Sequence, residues 1–94
     1  MKVTSDDQAF ELIADSCFGL TASIFTGSRA RAARFLDALD FGTLYVNRCN
    51  FVDARLGWIG HRHSGNGSIA LSPEGLRAFC SKTSINIDGS RLGE

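Results

Sequence analysis

Between Leu20 and Asn47 the chain reads strand, helix, strand with almost nothing between them, and few folds satisfy that order. Leu20-Thr21-Ala22-Ser23-Ile24-Phe25-Thr26 alternates and carries β-branched residues, the pattern of an extended strand. Gly27-Ser28 turns the chain, and Ser28 stands where a hydroxyl caps a helix. The spacing predicts that helix over residues 29–41, burying Ala32, Phe35, Leu36 and Leu39. Gly42 ends it, and Thr43-Leu44-Tyr45-Val46-Asn47 forms the second strand. Two strands joined by a helix through short links form a βαβ unit, with parallel strands and a right-handed crossover. The helix carries its charges against its own dipole, with Arg29 and Arg31 at the positive end and Asp37 and Asp40 at the negative end. Each such charge costs roughly a few tenths of a kcal/mol, so packing rather than propensity must hold this helix.

The flanks are simpler. Ser5-Asp6-Asp7-Gln8 is a capping box, followed by Ala9, Leu12 and Ile13 at helical spacing with Phe10 widening the stripe. A helix over residues 6–16 follows, with two acids in its first turn and Gly19 as its stop. Residues 48–71 show little periodicity and place glycines at 57, 60, 65 and 67, a long irregular stretch of the kind that carries function when ordered. Ser72-Pro73-Glu74 starts a short helix reaching Cys80. Thr83, Ile85 and Ile87 then alternate with Ser84 and Asn86, a last strand that needs a partner sheet elsewhere. The expected class is α/β: a small βαβ unit, a glycine-rich loop, a short helix and a C-terminal strand. Residues 1–88 make one unit and 89–94 a polar tail.

Size and charge narrow the function. A chain of 94 residues is one small domain or a piece of a larger one. Alone it buries only about 60–65% of the surface its unfolded form exposes, which leaves a marginal core. Ten Lys and Arg balance ten Asp and Glu, without the basic excess that nucleic-acid binding requires. Acids at Asp6 and Asp7 stand where a secretory signal places its apolar segment, and no run approaches the ~18 apolar residues of a membrane helix. Cys17, Cys49 and Cys80 are an odd count without CxxC spacing, which favours neither a disulfide framework nor a zinc knuckle. The expected compartment is the reducing cytoplasm, where the Asn66-Gly67-Ser68 sequon carries no meaning.

Candidate chemistry is sparse. His61 and His63 bracket Arg62, but no third ligand stands at metal-binding spacing, and both read as loop histidines. Gly65-Asn66-Gly67-Ser68-Ile69-Ala70 has the GxGxxA pattern of a dinucleotide-binding turn. It lacks the preceding strand, and Pro73 follows too soon, so a tight turn is the better reading. Arg29, Arg31 and Arg34 spread around their helix and read as a solvated face. Cys49 beside Arg48 has no base in fixed relation to it and reads as a buried or pocket-lining thiol. Trp58 is either a core plug or an aromatic pocket wall.

Three strings taken together point further: Phe18-Gly19-Leu20-Thr21-Ala22-Ser23-Ile24-Phe25-Thr26, Phe41-Gly42-Thr43-Leu44-Tyr45-Val46-Asn47 and Ser64-Gly65-Asn66-Gly67. In order and spacing they resemble the C-terminal part of the NAD(P)-dependent aldehyde dehydrogenase superfamily, whose pattern there is YGLTASxxT, a helix, GTxxVN, a loop ending in SGxG, and a last helix and strand. The likeness runs from about Val3 to Ile87. The usual PFGG string is replaced by Gly57-Trp58-Ile59-Gly60, similar to a branch bearing NRCxxxDPxLxWxG, with Ala54 in place of that branch's proline.

The resemblance implies the following. Family members oxidise aldehydes through a cysteine thiolate, hydride transfer to the nicotinamide, and thioester hydrolysis with a glutamate base. All those groups precede the region matched here, so no cysteine of this chain inherits the nucleophile's role and the chain alone is expected to be inactive. NAD(P) belongs to the parent enzyme, with none expected on this chain. By position, Asn50 and Val52 would face the substrate tunnel and Trp58 would stand near the reacting aldehyde. Thr83–Ile87 would be the oligomerisation strand, pairing with the remainder of a dehydrogenase or a neighbouring subunit. The alternative is a stand-alone, self-associating interaction module using the same strand, and neither reading involves nucleic acid or a membrane.

Overall fold

The computed structural model describes residues 1–49 and 51–93. Its elements are α1 (Asp6–Ala14), β1 (Phe18–Gly19), β2 (Thr21–Ile24), α2 (Arg29–Ala38), β3 (Thr43–Val46), β4 (His61–Arg62) and α3 (Ser72–Arg77), with a 3₁₀ turn at Gly89–Arg91. The βαβ unit is present as expected: β2 and β3 pair in parallel, from Thr21 opposite Thr43 to Ile24 opposite Val46. Ser28 caps α2, its hydroxyl accepting from the Arg31 N–H at 3.3 Å. The capping box on α1 is shifted by one residue. Ser5 Oγ accepts from Gln8 N–H as expected, but the Gln8 carboxamide oxygen reaches Thr4 N–H at 2.7 Å rather than that of Ser5.

The core is small. Phe35, Leu39 and Tyr45 are buried, where α2 lies on the parallel pair, and Phe10 of α1 packs its ring 6.2 Å from that of Phe35. The arginines of α2 do more than face solvent. Arg31 Nε lies 2.8 Å from Asp6 and Arg34 pairs with Asp7, so the acids that suit the α1 dipole also offset the cations at the start of α2.

Two glycines expected as helix stops have another role. α1 already ends at Ala14, and Gly19 sits in β1, antiparallel to β4, where its N–H donates to Ser64 Oγ at 2.9 Å. A β-carbon there would lie 2.9 Å from the Asp40 carbonyl oxygen. α2 ends at Ala38, and a β-carbon on Gly42 would fall 1.6 Å from the Ile59 carbonyl oxygen. Both glycines let distant backbone lie against the βαβ unit, a demand that local pattern does not encode.

The segment expected as a last strand, Thr83–Ile87, forms no strand within this chain. A ladder needs a partner edge, and here Ile85 and Ile87 stand exposed. The radius of gyration is 20.3 Å, against about 12 Å for a compact domain of this length.

Candidate functional site

The glycine-rich stretch is laid onto the end of the parallel pair by a chain of polar contacts. Asn47, in the left-handed region at φ 57°, donates its N–H to Ile24 O and clamps Thr26 with its carboxamide, accepting from Thr26 N–H at 2.8 Å and donating to Thr26 O at 3.0 Å. That side chain continues the ladder where the backbone leaves it. Tyr45 Oη then donates to Phe51 O at 2.9 Å, and the Arg48 guanidinium lies 3.9 Å over the Phe51 ring. Asp53 closes the next turn: its backbone oxygen accepts from Leu56 N–H, and its carboxylate accepts from the side chain and backbone of Arg55. These donors hold the Asp53 carboxyl at about 2.

Between β3 and this stretch lies a cavity of about 190 Å³, lined by Tyr45, Arg48, Phe51, Asp53, Leu56 and Trp58 among others. Trp58 is half-buried and fixed by paired backbone bonds with Ala70, 2.6 and 2.9 Å long. Its other side faces a broad open groove that also takes in Leu20, His63, Ile69, Leu76 and Phe79. Trp58 is therefore a wall shared by two spaces and not a core plug. Of the other residues singled out from sequence, Val52 is exposed and lines neither space. Asn50 lies outside the described residues. Cys49, expected to be buried or pocket-lining, is exposed, as are Cys17 and Cys80.

Tyr45, Phe51 and Leu56 were not singled out as site residues. Tyr45 sits within an alternating strand and gives no local sign that its hydroxyl reaches six residues onward. Of the two histidines expected in a loop, His63 lies in a turn but His61 belongs to β4, and the two have separate partners. His61 Nδ1 is 2.6 Å from Asp40 and holds that carboxyl below the usual range, whereas the His63 ring meets Phe18 edge-on at 6.4 Å. Among the described residues no cluster of three metal-ligating side chains occurs.

The GxGxxA segment forms the tight turn expected of it. The Gly60 and Gly65 backbones press on each other, a β-carbon on either falling 2.0–2.1 Å from backbone of the other's segment. The close approach that a phosphate cradle would need at Gly65 is thus occupied by the chain itself. The helix that follows opens only at Ser72, after a bridge strand running back to Trp58.

With this geometry in view, the likeness to other proteins is specific. The model of the aldehyde dehydrogenase family matches residues 1–85. A succinate-semialdehyde dehydrogenase of Mycobacterium avium, named for NADP(+), is 32% identical over 88 residues, which is 94% of this chain and 18% of that protein. A succinate semialdehyde dehydrogenase of Escherichia coli, named for NAD(P)+, is 39% identical over 74 residues, covering 79% of this chain and 16% of that one. Among solved structures, lactaldehyde dehydrogenase from Escherichia coli superposes with a TM-score of 0.77 at 32% identity, over 82% of this chain and 16% of its own. Betaine aldehyde dehydrogenase from Staphylococcus aureus, in complex with NAD+, gives 0.77 at 28% identity, over 82% and 15%. The chain thus spans less than a fifth of the length of the relatives it matches.

Proposed function

The chain belongs to the aldehyde dehydrogenase family, and from that premise we propose that it is the C-terminal stretch of an oxidoreductase that converts an aldehyde to an acid with NAD(P). The observation that carries this reading is the match over residues 1–85 to relatives of which the chain covers only 18% or less. In this reading the nucleophile, the base and the nucleotide contacts belong to the rest of the protein. This chain supplies one wall of the substrate tunnel through Trp58; Asn50 and Val52 are assigned to it by their position in the family alone, for Val52 lines neither space here. The half-buried indole between two cavities supports that role for Trp58: an aromatic face beside a pocket excludes water and orients an apolar substrate body.

The test compares two samples. The 94-residue chain, given NAD or NADP and a panel of aldehydes, forms no reduced nicotinamide, while the same residues within a full-length dehydrogenase do. Turnover by the chain alone would overturn the assignment of the chemistry to the missing part.

A second reading draws on the exposed Ile85 and Ile87. Here Thr83–Ile87 adds to a sheet edge of another polypeptide, as a stand-alone interaction module would use it. The two readings share this strand and differ in what carries it.

A further inference from the structure

Arg62 combines a strained backbone with a side chain that touches three parts of the chain. Its φ is 51°, a left-handed conformation that a residue with a β-carbon keeps only where its surroundings hold it. Its guanidinium donates to Ser16 O at 2.6 Å, just beyond α1, and to Ala14 O at 3.1 Å, the carbonyl of the last residue of α1, which also accepts from Ser16 N–H. It also lies 3.6 Å from Asp40 and 5.9 Å over the Phe41 ring, with the side chain only 28% exposed. One guanidinium thus joins the end of α1, the link between α2 and β3, and β4.

Trp58 stands four residues earlier on the same run. That run is anchored at one end by the Trp58–Ala70 bonds and at the other by Arg62, and Ile59, beside Trp58, rests on Gly42. Three residues between two anchors have little slack, so a shift at one end is felt at the other.

We propose that Arg62 is a positioning residue for the pocket wall: its guanidinium fastens β4 to the end of α1 and thereby sets where Trp58 stands. Its consequence for an aldehyde substrate rests on the functional reading above, while the placement of Trp58 does not.

Trp58 is the only tryptophan in the sequence, so indole emission and acrylamide quenching report on it alone. The variant Arg62→Gly removes the guanidinium while accepting the left-handed backbone without strain. Its emission is expected to shift to the red and quench more readily. Millimolar ethylguanidinium, far below denaturing concentrations, should restore both, whereas ethylammonium, of equal charge but without the fork, should not. An unshifted emission, a shift that ethylguanidinium leaves in place, or equal rescue by both ions would overturn the proposal. The unmutated chain gives a check independent of whether the variant folds: Arg62 Nη protons held on two carbonyls give resolved, slowly exchanging NMR signals. A single averaged, fast-exchanging signal would overturn it as well. Neither readout contains an aldehyde, so failure of the dehydrogenase reading shows only in the turnover assay.

Discussion

Gly27 and Gly42 stand on either side of α2 and carry opposite consequences for the same substitution. Nothing lies within 4 Å of a β-carbon built on Gly27, whereas on Gly42 it meets the Ile59 carbonyl oxygen at 1.6 Å. That oxygen is backbone and cannot swing aside, so Gly42→Ala must lift the run carrying Trp58 off the βαβ unit. The expected loss is about 1–3 kcal/mol or more, read from urea midpoints, while Gly27→Ala stays within about 0.5 kcal/mol of the parent. Equal losses at the two sites would refute this account of Gly42. Asp53 offers a second residue-scale test. Hydrogen bonds from the Arg55 side chain and then its backbone lower the carboxyl to about 2, below the ordinary value of about 3.9. A carboxylate depressed by folding favours the turn above its unfolded pKa, and that contribution fades as pH falls from about 4 through about 2. Arg55→Gln should raise the Asp53 titration, followed by carboxyl carbon NMR, most of the way back. A titration still near 2 would exclude the guanidinium as the main cause.

At the scale of elements, salt separates the ion pairs that join α1 to α2 from the cap that starts α2. The Arg31–Asp6 and Arg34–Asp7 pairs are largely exposed, so neutralising both acids as Asp6→Asn and Asp7→Asn should cost at most about 1 kcal/mol. That cost should vanish in molar salt, where the Debye length is about 3 Å. Ser28→Ala removes a neutral cap and should cost about 1 kcal/mol at any salt concentration. Chemical denaturation by urea at low and high salt distinguishes them; a salt-independent loss for the double acid variant would rule out ion pairing. The same contrast marks what was legible beforehand. Caps and alternation are local, and Ser28, Ser5 and the two parallel strands could be read from a few adjacent residues. Gly19 and Gly42 answer to groups 21 and 17 residues away, and so their roles were misread as helix stops, while the exposed arginines of α2 form the solvated face expected of them but also pair with acids of α1 that no local spacing announces. The pocket behaved alike: Trp58 stood out as the single tryptophan, but Tyr45 joined it only through a bond across the loop that no spacing announces.

The whole molecule is short of partners. A folded monomer of 10.1 kDa exposes about 5,300 Å², whereas this chain exposes 7604 Å². The surplus is apolar in large part, for Phe18, Phe25, Leu56, Leu76, Phe79, Ile85 and Ile87 are all more than half exposed. Surface of this kind on a soluble chain marks contact with another body. In an extended Thr83–Ile87 the two isoleucines fall on one side and Ser84 and Asn86 on the other, so a strand added to a foreign edge would bury one face and leave the other wet. The prediction is that the isolated chain associates with itself as concentration rises, seen as increasing mass by light scattering. Ile85→Lys with Ile87→Lys should lower that mass, because the ammonium groups would sit in the covered face. Ser84→Lys with Asn86→Lys should leave it nearly unchanged, and Asn86→Pro should lower it again by removing a ladder donor. A chain that remains monomeric at every concentration would mean that its apolar surface is covered only within a longer polypeptide. Association that ignores both isoleucines would shift the contact from Thr83–Ile87 to the open groove beside Trp58, where Leu76 and Phe79 are the largest exposed side chains.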